Sequence, residues 1–129
     1  MYLQEDVKLQ KGGMCMKYQS EKAFEMKVKQ FLADQGCWVL KTWSNGVQRE
    51  GIPDLLVCCA GLFVGVELKA EKGKPSALQI WNIEQIRASG GIAMVLYPDQ
   101  FDEFKHFITL LMTGNPNTKK AQYMFDRKE

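Results

Sequence analysis

The chain has 129 residues, of which 46% are hydrophobic and 25% charged, and its net charge is +2. That length holds one compact domain, the composition is that of a globular protein, and no apolar run approaches the ~18 residues needed to span a membrane. So small a net charge excludes a strongly basic coat, and any affinity for nucleic acid must come from how the charges are arranged.

Residues 1–19 show no sustained hydrophobic period and contain Gly12-Gly13, so they are expected to form an N-terminal arm. The first residues carry acids early and no apolar signal core, which points to an intracellular setting. Cys15, Cys37, Cys58 and Cys59 have no C-x-x-C spacing, so free thiols in a reducing compartment are expected and a zinc site is not.

Ser20 is a good N-cap, and Phe24, Val28, Phe31 and Leu32 recur on one face of the helix it would open. Gly36 ends that helix as a C′ glycine. Glu25 borders the apolar stripe, where it either serves a site or pairs with Lys29 at i+4. Cys37 to Trp43 reads as a strand, and Ser44 to Gly51 as a polar loop with an Asn45-Gly46 turn signal.

Gly51 to Lys69 is the most informative stretch. Two apolar runs, Leu55 to Ala60 and Leu62 to Leu68, flank a break at Ala60-Gly61, which is a hairpin pattern. With the turn centred there, opposed residues have numbers summing to 121, and Asp54 faces Glu67. Like charges placed opposite each other on paired strands are destabilising. A divalent cation bridging the carboxylates would explain the pairing. Lys69 lies two residues past Glu67 and projects from the same face. Pro53 fixes the backbone just before Asp54.

A charged loop follows, and Ser76 opens a second helix running to about Ser89, with Ile80, Trp81, Ile83 and Ile86 as expected core contacts. Gln79 completes an S-x-x-Q capping box with Ser76. Ile92 to Tyr97 is a fourth strand, and Asp99 is expected to cap a third helix reaching about Met112. Phe101, Phe104, Ile108, Leu111 and Met112 form one face of it. Phe107 and Leu110 widen that face, which fits either a partner subunit or burial under the arm or the tail. The order α-β-β-β-α-β-α predicts an α/β fold, a mixed sheet flanked by helices, over residues 20–113 with a tail at 114–129.

Lys41 and Arg49 before the hairpin, and Lys69, Lys72 and Lys74 after it, make a basic rim around an acidic centre, an arrangement fit for phosphate. Trp38, Trp43 and Trp81 read as core or rim aromatics rather than base-stacking platforms, and His106 as a surface residue.

Asp54 in G-I-P-D, Glu67 thirteen positions on, and the E-L-K that it opens resemble the PD-(D/E)xK nuclease superfamily. With Glu25 and Gly36 in the first helix, Lys41 in the next strand, V-E-L-K-A and S-A-L-Q, the chain looks like a short stand-alone virus-type replication-repair nuclease (VRR-NUC) domain. The resemblance covers about residues 20 to 97. It implies a restriction-endonuclease-like fold and a metal-dependent DNA endonuclease, structure-selective on branched DNA such as Holliday junctions, acting as a homodimer. Asp54, Glu67 and the Leu68 carbonyl would hold Mg²⁺ or Mn²⁺, with Glu25 bound directly or through water. Lys69 would orient a water, and Gln79 would stand near the lysine, cap the helix, or do both. A non-catalytic nucleic-acid-binding module that keeps the fold, and a metal phosphatase using the same carboxylates, are the alternatives.

Overall fold

The computed structural model describes residues 13–43 and 50–127. Arg49 and the Asn45-Gly46 turn signal lie outside them, as does the arm up to residue 12. The elements run α1 (Gly13–Asp34), β1 (Trp38–Lys41), β2 (Leu55–Cys59), β3 (Leu62–Leu68), α2 (Ala77–Ala88), β4 (Ile92–Leu96) and α3 (Phe101–Met112), followed by a 3-10 segment, Pro116–Phe125.

The four strands form one sheet in sequence order, with β1–β2 and β2–β3 antiparallel and β3–β4 parallel. The hairpin has the expected register: Leu55 pairs with Val66, Val57 with Val64 and Cys59 with Leu62. Its two-residue turn places both central residues in the left-handed region, Ala60 at φ 50° and Gly61 at φ 81°, as the right-handed twist of a tight hairpin requires.

One face of the sheet is dry. Leu55, Val57, Val64, Val66, Ile92, Met94 and Leu96 are buried there against Phe24, Val28 and Leu32 of α1 and Phe104, Ile108 and Leu111 of α3. Burying one such side chain contributes about 1.5–3 kcal/mol. On the opposite face α2 lies over β3 and β4, with Ile86 close against Gly65. Coverage there falls off toward β1. Trp38, Cys58 and Phe63 form one row across three strands and all three are exposed.

Several boundaries differ from the sequence reading. The first helix does not start at Ser20 but at Gly13. No Gly or Pro interrupts the chain between Gly13 and Gly36, and a nucleated helix extends through a serine at little cost. It ends as expected: Gly36, at φ 87°, donates to Ala33 O and Cys37 to Leu32 O, a Schellman arrangement. The strand from Cys37 is paired only over Trp38–Lys41. Asp99 does not cap α3. It sits in a 3-10 turn, Pro98–Gln100, with its carboxylate on Arg127, and α3 begins at Phe101.

Ile80 and Trp81 are 43% and 48% exposed rather than core, because α2 turns only its Gln79, Ile83 and Ile86 flank to the sheet. Phe107 is buried by the 3-10 segment: its ring lies 5.6 Å from that of Phe125, and Phe104 is 6.3 Å from the same ring. Residues 116–125 are thus packed onto the core. Arg87 anchors them through a bidentate pair with Asp126 at 2.8 and 3.0 Å.

Candidate active site

The site forms where β2 enters and β3 leaves the hairpin, away from the turn. Gly51 holds φ 78°, and a Cβ there would lie 2.7 Å from Leu78 Cγ and 2.8 Å from Asn82 Nδ2, so glycine alone fits between the loop and α2. Asn82, buried, donates to Glu50 O at 3.4 Å and Leu78 O at 3.0 Å. From the other side Thr42 clamps the same loop: its N–H donates to Asp54 O at 2.8 Å and its Oγ1 to Pro53 O at 2.9 Å. The backbone carrying Asp54 is therefore fixed on both flanks.

Asp54 is one residue beyond the ladder that pairs Leu55 with Val66, which puts it beside Glu67. Its Oδ2 accepts the Leu68 N–H at 2.9 Å. Glu67 is 2% exposed, and its Oε1 has no hydrogen-bond partner among the described residues. The other oxygen, Oε2, accepts from Gln79 Nε2 at 2.9 Å and stands 3.3 Å from Lys69 Nζ. Burial pushes the Glu67 carboxyl up to about 7, the negative Asp54 adds to that, and Lys69 opposes it. Buried carboxylates set beside a second acid in this way cluster at functional sites.

Gln79 does both things the sequence left open. Its Oε1 accepts from Ser76 N at 2.8 Å and its N–H donates to Ser76 Oγ at 3.1 Å, closing the capping box, while its Nε2 reaches Glu67. The helix cap and the contact to the carboxylate are made by one amide.

Glu25 stands off from the pair, linked to it by a cation. Lys41 Nζ lies 2.8 Å from Glu25 Oε1 and 3.8 Å from Asp54 Oδ1, and Lys29 adds a 3.4 Å contact at i+4. Partial burial alone would raise the Glu25 carboxyl, but the hydrogen bond and charge of Lys41, with Lys29 beside it, outweigh that and hold it below the usual range. No three His, Cys, Asp or Glu side chains among the described residues cluster closely enough to enclose a metal. Asp54 and Glu67 still fit a hard cation. They supply oxygen only, and the orphaned Oε1 is buried beside a second carboxylate.

These groups line one cleft of about 1140 Å³, together with Leu68, Lys72 and Trp43. Lys74 is exposed beyond it. His106 is exposed on α3, as expected. None of the three tryptophans is a core residue: Trp38, Trp43 and Trp81 are 62%, 67% and 48% exposed. Sequence reasoning passed over Thr42 and Asn82, which hold the Asp54 loop. The available signal was an asparagine at i+3 from Gln79, on the buried flank of α2.

A mixed four-stranded sheet with paired carboxylates and a lysine at the open end of its hairpin is the architecture of restriction-endonuclease-like nucleases. A family model described as archaeal Holliday junction resolvase (Hjc) matches residues 16–99. A solved VRR_NUC domain is 31% identical with a TM-score of 0.54, over 64% of this chain and 90% of that one. The Hjc Holliday junction resolvase of Archaeoglobus fulgidus, an archaeal hyperthermophile, is 21% identical with a TM-score of 0.47, over 59% and 66% of the two chains. No protein of curated function matches the sequence. The chain belongs to the archaeal Holliday junction resolvase family, a group of structure-selective DNA nucleases with the VRR-NUC-like fold.

Proposed function

We propose that the chain is a Mg²⁺- or Mn²⁺-dependent endonuclease that hydrolyses phosphodiester bonds in branched DNA, with four-way junctions as its leading substrate. The observation that carries this reading is the buried Glu67, facing Asp54, with Oε1 unpartnered among the described residues and Lys69 Nζ 3.3 Å from Oε2. Asp54, Glu67 and the Leu68 carbonyl are the proposed protein ligands, with Glu25 reaching the ion through water across Lys41. The cation would supply a water activated near neutral pH and neutralise charge on the phosphate. Lys69 orients the attacking water and stabilises the charge that develops on the phosphate. Gln79 holds Glu67 in the orientation that leaves Oε1 free. Lys72, Lys74 and Arg49 contact the DNA backbone, and Lys41 fixes Glu25 against Asp54.

A homodimer would present two such sites for paired cuts. The surface that supports it is the open side of the sheet rather than α3, whose Phe107 is already covered. Trp38 at 62%, Leu40 at 46% and Phe63 at 45% exposure lie there, with Leu78 and Trp81 exposed on the bordering helix. Exposed apolar residues grouped in this way mark association surfaces.

Cleavage of a four-way junction, a flap, plain duplex and single strand with Mg²⁺ or Mn²⁺ tests the activity. Preferred cutting of the junction by the wild type, lost in Glu67→Gln with binding retained, is the expected result. Full turnover by Glu67→Gln would sink the site, and a monomer in light scattering at micromolar concentration would remove the paired cut.

A further inference from the structure

Trp43 is left without a role by this reading, yet it lines the same cleft as Asp54, Glu67 and Lys69. Its indole is 67% exposed, more than any other large hydrophobic side chain among the described residues. An aromatic of this size gains most from a partner that covers its face. Trp43 is also positioned rather than loose at its root. The residue before it, Thr42, is bonded through N–H and Oγ1 to the carbonyls of Asp54 and Pro53. The backbone of the carboxylate and the backbone of the tryptophan are thereby tied to each other.

Two short steps connect the ring to the chemistry. Lys41 Nζ lies 6.0 Å from the indole centroid, and the same ammonium lies 3.8 Å from Asp54 Oδ1. The indole and the Asp54 carboxylate are thus neighbours of one ammonium group. The ring is bordered by a cation on the side of the acids, and Lys69 and Lys72 line the cleft as well. Phosphate and π-face are thus offered together. Trp38, exposed on the sheet, and Trp81, exposed on α2, do not line this cleft.

We propose that Trp43 is a base-stacking subsite: its indole receives a nucleobase that has lost a stacking neighbour at the branch, beside the phosphate placed over Asp54 and Glu67. The proposal rests on the nuclease reading above and adds a ligand class, an unstacked purine or pyrimidine. Stacking of this kind tolerates any base, because every base has a π-face. It discriminates by availability, since a base inside a continuous duplex is already stacked on its neighbours. Selectivity for irregular DNA then comes partly from Trp43 and not only from the shape of the cleft.

The test is binding without divalent metal, so that no cleavage is required. Fluorescence anisotropy would compare a duplex carrying a three-nucleotide bulge with a fully paired duplex of equal length, for the wild type, Trp43→Ala and Trp43→Phe. Trp43→Ala is expected to weaken bulge binding about tenfold, and to leave the paired duplex unchanged. Trp43→Phe should retain most of the affinity. A 2-aminopurine placed in the bulge should be quenched by the wild type and not by Trp43→Ala. Equal losses on both DNAs, or no loss on either, overturn the proposal. A wild type that binds neither DNA would instead sink the nuclease reading itself, and with it the subsite.

Discussion

The two faces of the sheet follow different rules. On the face covered by α1 and α3, the inward positions from Leu55 to Leu96 are all apolar, fully buried along the middle of the strands and partly buried at Leu62 and Leu68. On the face that α2 half covers, the same strands carry a buried glutamate, a glycine that admits Ile86, and a row of exposed apolar residues. The first face is built for folding free energy. The second departs from that at both ends, with buried repulsion at the strand entrance and uncovered apolar surface near the turn. Alternation along a strand lets one segment serve both purposes without mixing them.

Variants can separate the two faces. The largest effect is expected for Asp54→Asn: a loss of cleavage on the order of 10³-fold, with folding intact. The amide oxygen can still accept the Leu68 N–H, so a urea melt should show no loss. Unfolding of this variant would mean that Asp54 belongs to the stabilising face after all. Next is Leu96→Ala on the packed face, which should cost about 3 kcal/mol in the same melt and leave the rate per folded molecule unchanged.

A pH series sharpens the contrast. The Glu67 carboxyl is raised from 4.5 to about 7 in the folded chain, so the metal-free protein holds this contribution below about pH 4.5 and loses it as pH rises through about 7. The loss between pH 5 and 8 should be on the order of 2–3 kcal/mol. Glu67→Gln should flatten that slope. Glu25 is shifted the opposite way, so its contribution is present above 4.5 and lost on acidification, outside the window being measured. A slope unchanged in Glu67→Gln would assign it to other groups. The smallest effect on stability belongs to Phe63→Ser on the open face, at most about 0.5 kcal/mol. Sedimentation should nevertheless show the proposed homodimer coming apart, and a dimer unaltered by the substitution would move the interface elsewhere.

The opposed carboxylates were legible because hairpin register is arithmetic: once Ala60-Gly61 is the turn, Asp54 must stand beside Glu67. Gln79 was legible as a cap, and its second bond was not, since that depends on where α2 lands over β3. The exposure of Trp81 and Ile80 escaped for the same reason. A helix's apolar residues do not say how much of the sheet it will cover. The burial of Phe107 depended on Phe125, a single anchor in a segment with no strand or α-helix period. Likewise the start of α1 was hidden because Met14 to Gln19 neither breaks a helix nor shows an apolar stripe.

The outer edge of β4 is closed by side chains. Ala93 N–H donates to Gln122 Oε1 at 2.9 Å, and Ala93 O accepts from Arg87 Nε at 2.9 Å. An incoming strand would find the hydrogen-bonding groups at that position already occupied. The opposite edge is β1, only four residues long. Lateral addition of strands is therefore discouraged at both edges, and the exposed apolar face is the surface left for association. A pair of copies related by a two-fold axis would close such a contact on itself and keep the exposed apolar surface from becoming the seed of a fibre.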